Sequence, residues 1–282
     1  MTTCRYAIST HLYHDQRLAR HHLTEIAGHG FHALELFATR THFDYRDPAA
    51  IASLNAWLKE AGLHLHSVHA PISEGLVGTR WGPGFTNASS DEPTRQRAVR
   101  EACAALEIAR QIPFRFLVLH LGQPDELKPA ANNNRIEAAR RSVEELYDLA
   151  RSLDVRLALE VIPNGISSAE RLVHIIEHEL ELPDIGICMD FGHAFLMGDV
   201  VDAIETASGY LVTTHVHDNN GKADDHLVPL EGAIDWPSTL MAMQKIGYDG
   251  SFVLEVANTA TPLQVLAGTE RARRRFEEIL GQ

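Results

Sequence analysis

The sequence predicts an α/β fold, a (β/α)8 TIM barrel, from two observations. Apolar runs of strand length recur eight times along the 282 residues, and each is followed by a polar turn and a segment with helical spacing. Some runs are apolar at every position, as at residues 116–119, which is typical of parallel strands covered on both faces. Strict alternation of strand and helix implies right-handed crossovers, and eight such units close a barrel.

The strand candidates follow one another along the whole chain. They cover residues 6–9, 33–37, 65–69, 116–121, 156–162, 186–190, 213–217 and 251–256. Apolar residues three or four positions apart predict a helix before the fourth strand, at Val99, Ala102 and Leu106, and another after it, from Ile136. An open doubly wound sheet is the alternative, but no glycine-rich phosphate loop follows the first strand. We expect residues 1–282 to form a single domain, since no linker interrupts the pattern.

The longest irregular segment, residues 73–90, is rich in glycine and proline and predicts an active-site loop. It contains Trp81, Pro83 and Phe85, with Arg80 as its one cation. Aromatic side chains in such a loop can fold over a pocket and exclude water from a small substrate. We therefore expect Trp81 to contact the substrate.

Composition and charge restrict the class of protein. The chain has 38 acidic and 25 basic side chains, and this excess of acid argues against nucleic acid as a partner, because binding to a phosphate backbone needs clustered Lys and Arg. No apolar stretch approaches the ~18 residues of a membrane span, and the first residues lack the apolar core of a signal peptide. Cys4, Cys103 and Cys188 have no close pairing, which favours reduced thiols. We expect a cytoplasmic protein without a membrane partner, and homo-oligomerisation stays open.

Histidine is unusually frequent, with 17 residues, and its side chain is a common metal ligand and proton carrier. Seven histidines lie in the first 42 residues, in segments with helix or loop character. They are His11, His14, His21, His22, His29, His32 and His42. We expect most of these seven to be solvated or to lie at the edge of the core. Several later histidines stand at the ends of apolar runs, where a functional role is expected.

In a (β/α)8 barrel the active site lies at the C-terminal ends of the strands. From the third strand onward, imidazoles and carboxylates occupy these ends. They are His69, His120, Glu160, Asp190 with His193, His215 with Asp218, and Glu255. Buried charges at one barrel mouth destabilise a fold unless they have partners, and a divalent cation supplies one. A single histidine at a strand end is more often a satisfied core residue, so the prediction depends on the whole set.

The segment around and after the seventh strand adds further candidates. Asp224 and His226 could reach a second or third metal ion, although an Asp-Asp-His sequence in a polar loop is usually just solvated. His215 and His217 lie two residues apart on one strand and point to the same side, so spacing alone does not separate their roles.

Five short motifs occur in order between the third strand and the eighth. They are His-Ala-Pro-Ile at 69–72, Leu-Glu-Val at 159–161, Met-Asp-Phe-Gly-His at 189–193, His-Val-His-Asp-Asn at 215–219 and Leu-Glu-Val at 254–256. This series resembles the xylose isomerase-like TIM barrels, a superfamily that contains sugar isomerases and epimerases together with endonuclease IV. The resemblance is specific for the fold and the metal site.

The sugar epimerases of that superfamily imply one divalent metal ion, commonly manganese, magnesium or cobalt. The ligands implied are Glu160, Asp190, His215 and Glu255. Glu160 and Glu255 would also move the proton, one on each face of the substrate carbon. The substrate-binding residues that we expect beside them are His69, His193, His217, Lys222 and Trp81.

Endonuclease IV implies three zinc ions, whose ligands fall on residues of matching type in this chain. The implied ligands are His69, His120, Glu160, Asp190, His193, His215, Asp224, His226 and Glu255. Three close ions stabilise charge on a phosphoryl group and produce hydroxide near neutral pH. The chain departs from the family's Pro-Gly-Glu-Gly turn at Leu230, and extended loops that would grip DNA are not recognisable.

The leading hypothesis is a divalent-metal-dependent isomerase or epimerase of a small sugar, keto-sugar or polyol. The alternative is an endonuclease IV-like phosphoester hydrolase, and weaker ones are a lyase or dehydratase and a non-catalytic barrel for metal sensing or partner binding. We expect manganese, magnesium, cobalt or zinc as the cofactor, as one ion or up to three. One ion favours the sugar chemistry, and three favour hydrolysis.

Overall fold

The computed structural model of the chain describes residues 5–78 and 80–281. Its strands are β1 (Arg5–Ser9), β2 (Ala33–Phe37), β3 (His64–His69), β4 (Leu76–Val77), β5 (Arg80–Trp81), β6 (Phe116–Leu119), β7 (Arg156–Glu160), β8 (Gly186–Asp190), β9 (Leu211–Val216) and β10 (Ser251–Leu254). Eight of them form a closed barrel of parallel strands in the order β1-β10-β9-β8-β7-β6-β3-β2. This confirms the predicted (β/α)8 barrel.

Helices alternate with the barrel strands. They are α1 (Arg20–Gly28), α2 (Pro48–Ala61), α3 (Glu92–Leu106), α4 (Ile136–Ser152), α5 (Ala169–His174), α6 (Phe191–Met197), α7 (Val200–Ala207), α8 (Trp236–Lys245) and α9 (Pro262–Leu280). The sequence determines several helix ends locally. The Asp47 carboxylate accepts from the Ala49 N–H, Pro48 occupies the first turn, and Gly62 ends α2 in the left-handed conformation.

Three predicted strands are two residues too long at their C-terminal ends, and a fourth, at 213–217, is one residue too long. The runs at 116–121, 156–162 and 251–256 leave the sheet at residues 119, 160 and 254. Their apolar character continues because the following residues are buried under neighbouring loops, as Val161 and Val256 are. A run of buried residues therefore predicts that a strand is present but not the residue at which it ends.

The predicted active-site loop at 73–90 contains a short antiparallel hairpin formed by β4 and β5. Trp81 lies at the end of this hairpin and is 44% exposed. The loop is therefore partly ordered by backbone pairing, and it presents an aromatic ring.

The interior of the barrel is apolar in its lower part and polar toward the C-terminal strand ends. Small apolar clusters fill part of it, one around Phe116 and Cys188 and another around Ala33 and Val253. The main apolar core lies between the barrel and the helices. Toward the C-terminal strand ends the buried side chains become acidic or imidazole-bearing, so the polar site rests on a packed apolar base.

Cys103 and Cys188 are free thiols, and Cys188 is buried within the barrel. Cys4 lies outside the described residues. Within the described part of the chain, no helix combines the length and apolarity needed to cross a membrane.

Two of the seven early histidines are exceptions to the expectation that most of them are solvated or lie at the edge of the core. His22 and His42 are buried, and the His22 ring stacks on that of Tyr13 with the ring centres 4.2 Å apart. The His42 ring donates from Nδ1 to the Gln16 carbonyl at 2.7 Å. These contacts join residues distant in sequence, which local spacing does not reveal.

The loop between β9 and α8 is built around Asp218. Its buried carboxylate accepts from the backbone N–H groups of Leu230 at 2.9 Å and Ile234 at 3.2 Å, and from the Trp236 indole at 2.8 Å. Asp218, which ends the seventh strand motif, therefore organises the loop. The positive φ of Leu230 (77°) also belongs to this turn, in a conformation that glycine adopts more readily than leucine.

We expect Asp218→Ala to lower the free energy of unfolding by about 3 kcal/mol, because it leaves several buried N–H donors without an acceptor. Asp225→Ala in the same loop is the matched control and should change stability by less than about 0.5 kcal/mol. Urea denaturation of the metal-free proteins measures both. Equal stability of the two variants would contradict the assigned role of Asp218.

A second prediction concerns pH. Burial lowers the pKa of His42 to about 4 from its ordinary value of 6.5. As the pH falls, His42 is therefore protonated in the unfolded chain before it is protonated in the folded one. The free energy of unfolding that is present at neutral pH is lost as the pH falls from about 6.5 toward 4. The loss is roughly 3 kcal/mol at about 1.4 kcal/mol per pKa unit.

His42→Asn keeps an N–H donor but does not titrate, so its stability should fall less than that of the wild type between pH 7 and pH 5. Urea denaturation at both pH values gives the difference. Other buried histidines contribute equally to both proteins. The same pH dependence in wild type and variant would show that His42 is not the group responsible.

Candidate metal centre

The C-terminal ends of several barrel strands bring acidic and imidazole side chains together. Glu160 and Asp190 are the last residues of β7 and β8, His215 lies near the end of β9, and Glu255 follows β10. All four side chains are buried. Since these strands are neighbours in the barrel, their ends meet at one point of its mouth.

We call Glu160, Asp190, His215 and Glu255 the core cluster. One potential ligand atom from each lies within 4.8 Å of the others. His215 Nδ1 is 2.9 Å from Glu160 Oε1, 3.3 Å from Glu255 Oε2 and 3.9 Å from Asp190 Oδ2. Three carboxylates thus face one imidazole nitrogen, an arrangement of oxygen and nitrogen donors that suits a divalent cation.

A second set of imidazoles faces the other oxygen of Glu160. His69 Nε2 and His120 Nε2 lie 3.3 and 3.0 Å from Glu160 Oε2. Despite this proximity, no residue of the described chain gives this buried oxygen a hydrogen bond of acceptable geometry. Such an orphaned oxygen, facing two ring nitrogens, fits a cation shared between them.

We call His193, His217, Asp224 and His226 the second cluster, which lies beside the core cluster. One ligand atom from each is within 4.8 Å of the others. His193 Nε2 and His226 Nε2 are both 3.1 Å from Asp224 Oδ2, and His217 Nε2 is 3.7 Å from Asp224 Oδ1. His217 Nε2 also lies 3.0 Å from Asp190 Oδ1, which connects the two clusters.

Backbone carbonyls determine which nitrogen several of these rings present. The Nδ1 of His69 donates to the Ala70 carbonyl at 2.8 Å. His193 and His226 donate in the same way to the carbonyls of Val161 and Glu255. Each ring thereby directs its Nε2 at a carboxylate, and Nε2 is the nitrogen that can bind a metal once its proton has been displaced.

The electrostatics show how strongly these carboxylates require positive charge. Burial disfavours a charged Glu160, yet His215 and His120 hold its pKa well below the usual value. Burial also opposes a charged His193, but Asp190 and Asp224 raise its pKa well above the usual value. A divalent cation can replace the protons that these imidazoles would otherwise carry.

His69 and His226 share this behaviour. Burial lowers the pKa of both rings, but Glu160 for His69 and Asp224 for His226 outweigh it and raise each pKa to about 9. His120 differs, since burial outweighs the effect of Glu160 and lowers its pKa.

Sequence reasoning missed Glu35, which lies in the middle of β2 and is fully buried. Its two carboxylate oxygens are 3.0 and 3.1 Å from His215 Nε2, on the edge of the ring opposite Nδ1. A lone acid within an apolar strand was the available signal, because a buried carboxylate needs a partner.

A wall of rings borders the clusters, formed by His11, His14, Phe37 and Trp81. The His11 ring centre is 4.8 Å from that of His226 and 4.9 Å from that of Phe37. Trp81 stacks on His14 at 5.5 Å. His11 was one of the seven early histidines of which most were expected to be solvated or at the edge of the core, although it lies two residues after the end of β1, close to the mouth.

The structure thus brings all nine residues of the implied ligand set, and His217, to one mouth. Trp81 reaches it through the ring wall. Lys222 is exposed and forms no hydrogen bond or ion pair with any residue that the structure describes. Its expected contact with the substrate stays a prediction.

Known proteins provide a comparison. The sequence matches the family model of the xylose isomerase-like TIM barrel over residues 23–278. An uncharacterised protein of Methanocaldococcus jannaschii is 28% identical over 244 residues, covering 84% of this chain and 78% of that protein. The L-ribulose-5-phosphate 3-epimerase UlaE of Escherichia coli (strain ATCC 8739) is 25% identical over 178 residues, covering 61% of this chain and 60% of the enzyme.

Solved structures are similar over nearly the whole chain. A D-tagatose 3-epimerase-like protein superposes with a TM-score of 0.80 at 25% identity, covering 98% of both chains. The D-psicose 3-epimerase of Clostridium cellulolyticum H10 gives a TM-score of 0.77 at 20% identity, covering 98% of this chain and 99% of that one. Because the family model spans most of the sequence and the barrel is observed, the chain belongs to the xylose isomerase-like TIM barrel family.

Proposed function

We propose that the protein is a divalent-metal-dependent isomerase or epimerase of a small sugar, keto-sugar or polyol. The observation that carries this is the core cluster, in which two buried glutamates from strands β7 and β10 face one imidazole nitrogen together with Asp190. Sugar epimerases among the similar proteins support the reaction class.

The core cluster would hold the cation through Glu160, Asp190, His215 and Glu255. When bound there, a divalent cation polarises a substrate carbonyl and makes the neighbouring C–H bond more acidic. The donor set contains oxygen and nitrogen, which suits manganese, magnesium, cobalt or zinc.

The two glutamates would carry the proton. Glu160 and Glu255 come from strands separated in the barrel by β8 and β9, so they approach the mouth from different directions. One carboxylate removes the proton from the carbon beside the carbonyl, and the other supplies a proton to that carbon from the other face. This exchange inverts the configuration of the carbon.

The surrounding rings would bind and shield the substrate. His69 and His193 are expected to hydrogen-bond substrate hydroxyls when they are not metal ligands, and His217 lies beside them. The ring wall closes one side of the mouth with imidazole and aromatic faces. Such a wall excludes water from a reacting carbon and packs against the apolar face of a sugar.

The second cluster supports more than one ion. Glu35, Glu160, Asp190 and Glu255 are buried, and Asp224 is nearly so. One divalent ion leaves an excess of buried negative charge, which a second ion at His193, Asp224 and His226 would reduce. The number of ions, from one to three, belongs to this proposal.

A specific observation also favours the second candidate function, an endonuclease IV-like phosphoester hydrolase. All nine residues of the implied zinc-ligand set converge at the mouth. Glu160 directs one oxygen at His215 and the other at His69 and His120. This arrangement is suited to a shared carboxylate between ions, as multi-zinc hydrolases require.

The charges of the loops favour an unphosphorylated substrate. Lys222 and Arg80 are exposed, while Asp225 and Glu231 belong to the acidic β9–α8 loop. Arg97, near the hairpin, is already paired with Glu74. A phosphate group needs clustered donors or cations, so a neutral polyhydroxylated substrate fits this mouth better.

We expect Glu160→Gln and Glu255→Gln each to lower kcat about 10²- to 10⁴-fold, because each removes one proton carrier. Incorporation of deuterium from solvent at the sugar carbon, followed by NMR, measures the exchange directly. Glu231→Gln, at an exposed glutamate of the mouth loop, is the matched control and should retain activity. Full metal content with normal exchange in both glutamate variants would refute the mechanism.

We expect free ketohexoses and ketopentoses to be better substrates than their phosphate esters, by at least about tenfold in kcat/KM, because like charges at the mouth oppose the phosphate. Measurement of kcat/KM for a panel of sugars, each assayed with and without its phosphate group, tests this preference. We also expect no incision of a duplex that contains an abasic site. Robust incision that is abolished by Glu160→Gln, with three metal ions per chain, would establish the hydrolase instead.

A further inference from the structure

Glu35 is a buried carboxylate that the proposed chemistry does not use. It lies inside the barrel on β2 and has no exposed surface. Its Oε2 accepts from the Ser67 hydroxyl at 2.8 Å, and both of its oxygens lie 3.0 to 3.1 Å from His215 Nε2. A carboxylate in such a position would destabilise the barrel strongly if His215 did not meet it.

His215 is held between two groups of acids. Its Nε2 edge faces Glu35, and its Nδ1 edge faces Glu160 and Glu255. An imidazole that binds a cation through Nδ1 must keep its proton on Nε2. Glu35 accepts the hydrogen bond from that proton, so it both selects the ligating nitrogen and fixes the plane of the ring.

The acceptor of His215 is different from those of the neighbouring histidines. His69, His193 and His226 donate to neutral backbone carbonyls, whereas His215 donates to a charged carboxylate. A charged acceptor forms a stronger hydrogen bond and increases the electron density of the ring, which makes the opposite nitrogen a better donor to a cation.

We infer that Glu35 is a positioning residue that acts through His215 and increases the affinity of the core cluster for a divalent cation. Its carboxylate faces the edge of the ring away from Nδ1, so it contributes no ligand atom itself. The inference rests on the metal centre proposed above, but not on the identity of the sugar or on the reaction.

The test measures metal affinity, with Co²⁺ as the probe, in competition with a chelator of known affinity. All titrations use an Asp224→Asn background, which removes the ligand common to the second cluster. Glu35→Gln has nearly the same shape and keeps an acceptor for His215 and a partner for Ser67, but it lacks the charge. We expect it to weaken Co²⁺ binding about 10- to 100-fold and to shift the visible spectrum of the bound ion.

Two controls separate this role from a structural one. Ser67→Ala removes the other hydrogen bond to Glu35 and leaves the contact with His215, so its Co²⁺ affinity should stay close to that of the parent. In a His215→Gln background, Glu35→Gln should cause no further loss, because the residue through which it acts is gone. A purely structural Glu35 would instead lower the unfolding temperature of the metal-free protein and leave Co²⁺ affinity unchanged.

The outcomes are distinguishable. Unchanged Co²⁺ affinity in folded Glu35→Gln protein, or an equal loss with and without His215, would overturn the inference. If circular dichroism shows that this variant is unfolded, Glu35→Asp takes its place, since the shorter carboxylate withdraws from Nε2 and should also weaken binding; unchanged affinity there overturns the inference. Absence of Co²⁺ binding by the parent would overturn the metal centre itself, whereas binding without epimerase activity would leave the role of Glu35 intact.

Discussion

The structure depends on one constraint, which is the concentration of buried negative charge at the barrel mouth. Glu35, Glu160, Asp190 and Glu255 are removed from water, and each would cost several kcal/mol without a positive partner. The imidazoles of His120, His215 and His217 are directed at these carboxylates. Protonated imidazoles can provide the positive charge that these carboxylates need, and divalent cations can provide it instead.

The barrel orients several histidines so that they could bind a divalent cation. The carbonyls that orient His69, His193 and His226 belong to segments at the strand ends, where the chain has left the sheet and its carbonyls are free to accept. These acceptors are in place as soon as the barrel closes. Ligand orientation is therefore established by folding, and little side-chain entropy remains to be lost when a cation binds.

Much of this arrangement could be predicted from sequence, and the exceptions have a common physical cause. The strand ends that carry His69, Glu160 and Glu255 follow from apolar runs, which are local. Glu35 has a partner 180 residues away, so no local pattern connects it to His215. His42 belongs to a group of which most members were expected to be solvated or at the edge of the core, but it is buried and bonded to the distant Gln16, and local spacing carries no information about such a contact.

The metal-binding frame does not by itself determine the reaction. A set of ligands that can hold several ions serves proton transfer at carbon and hydrolysis at phosphorus equally well, so the surroundings must discriminate between them. In this chain, those surroundings are a wall of rings ending at Trp81 and an acidic loop after β9. Rings pack against the apolar faces of a sugar, and acidic loops repel a polyanion. On the proposed function, selectivity would therefore depend on the loops, and the reaction would follow from the substrates that the loops admit.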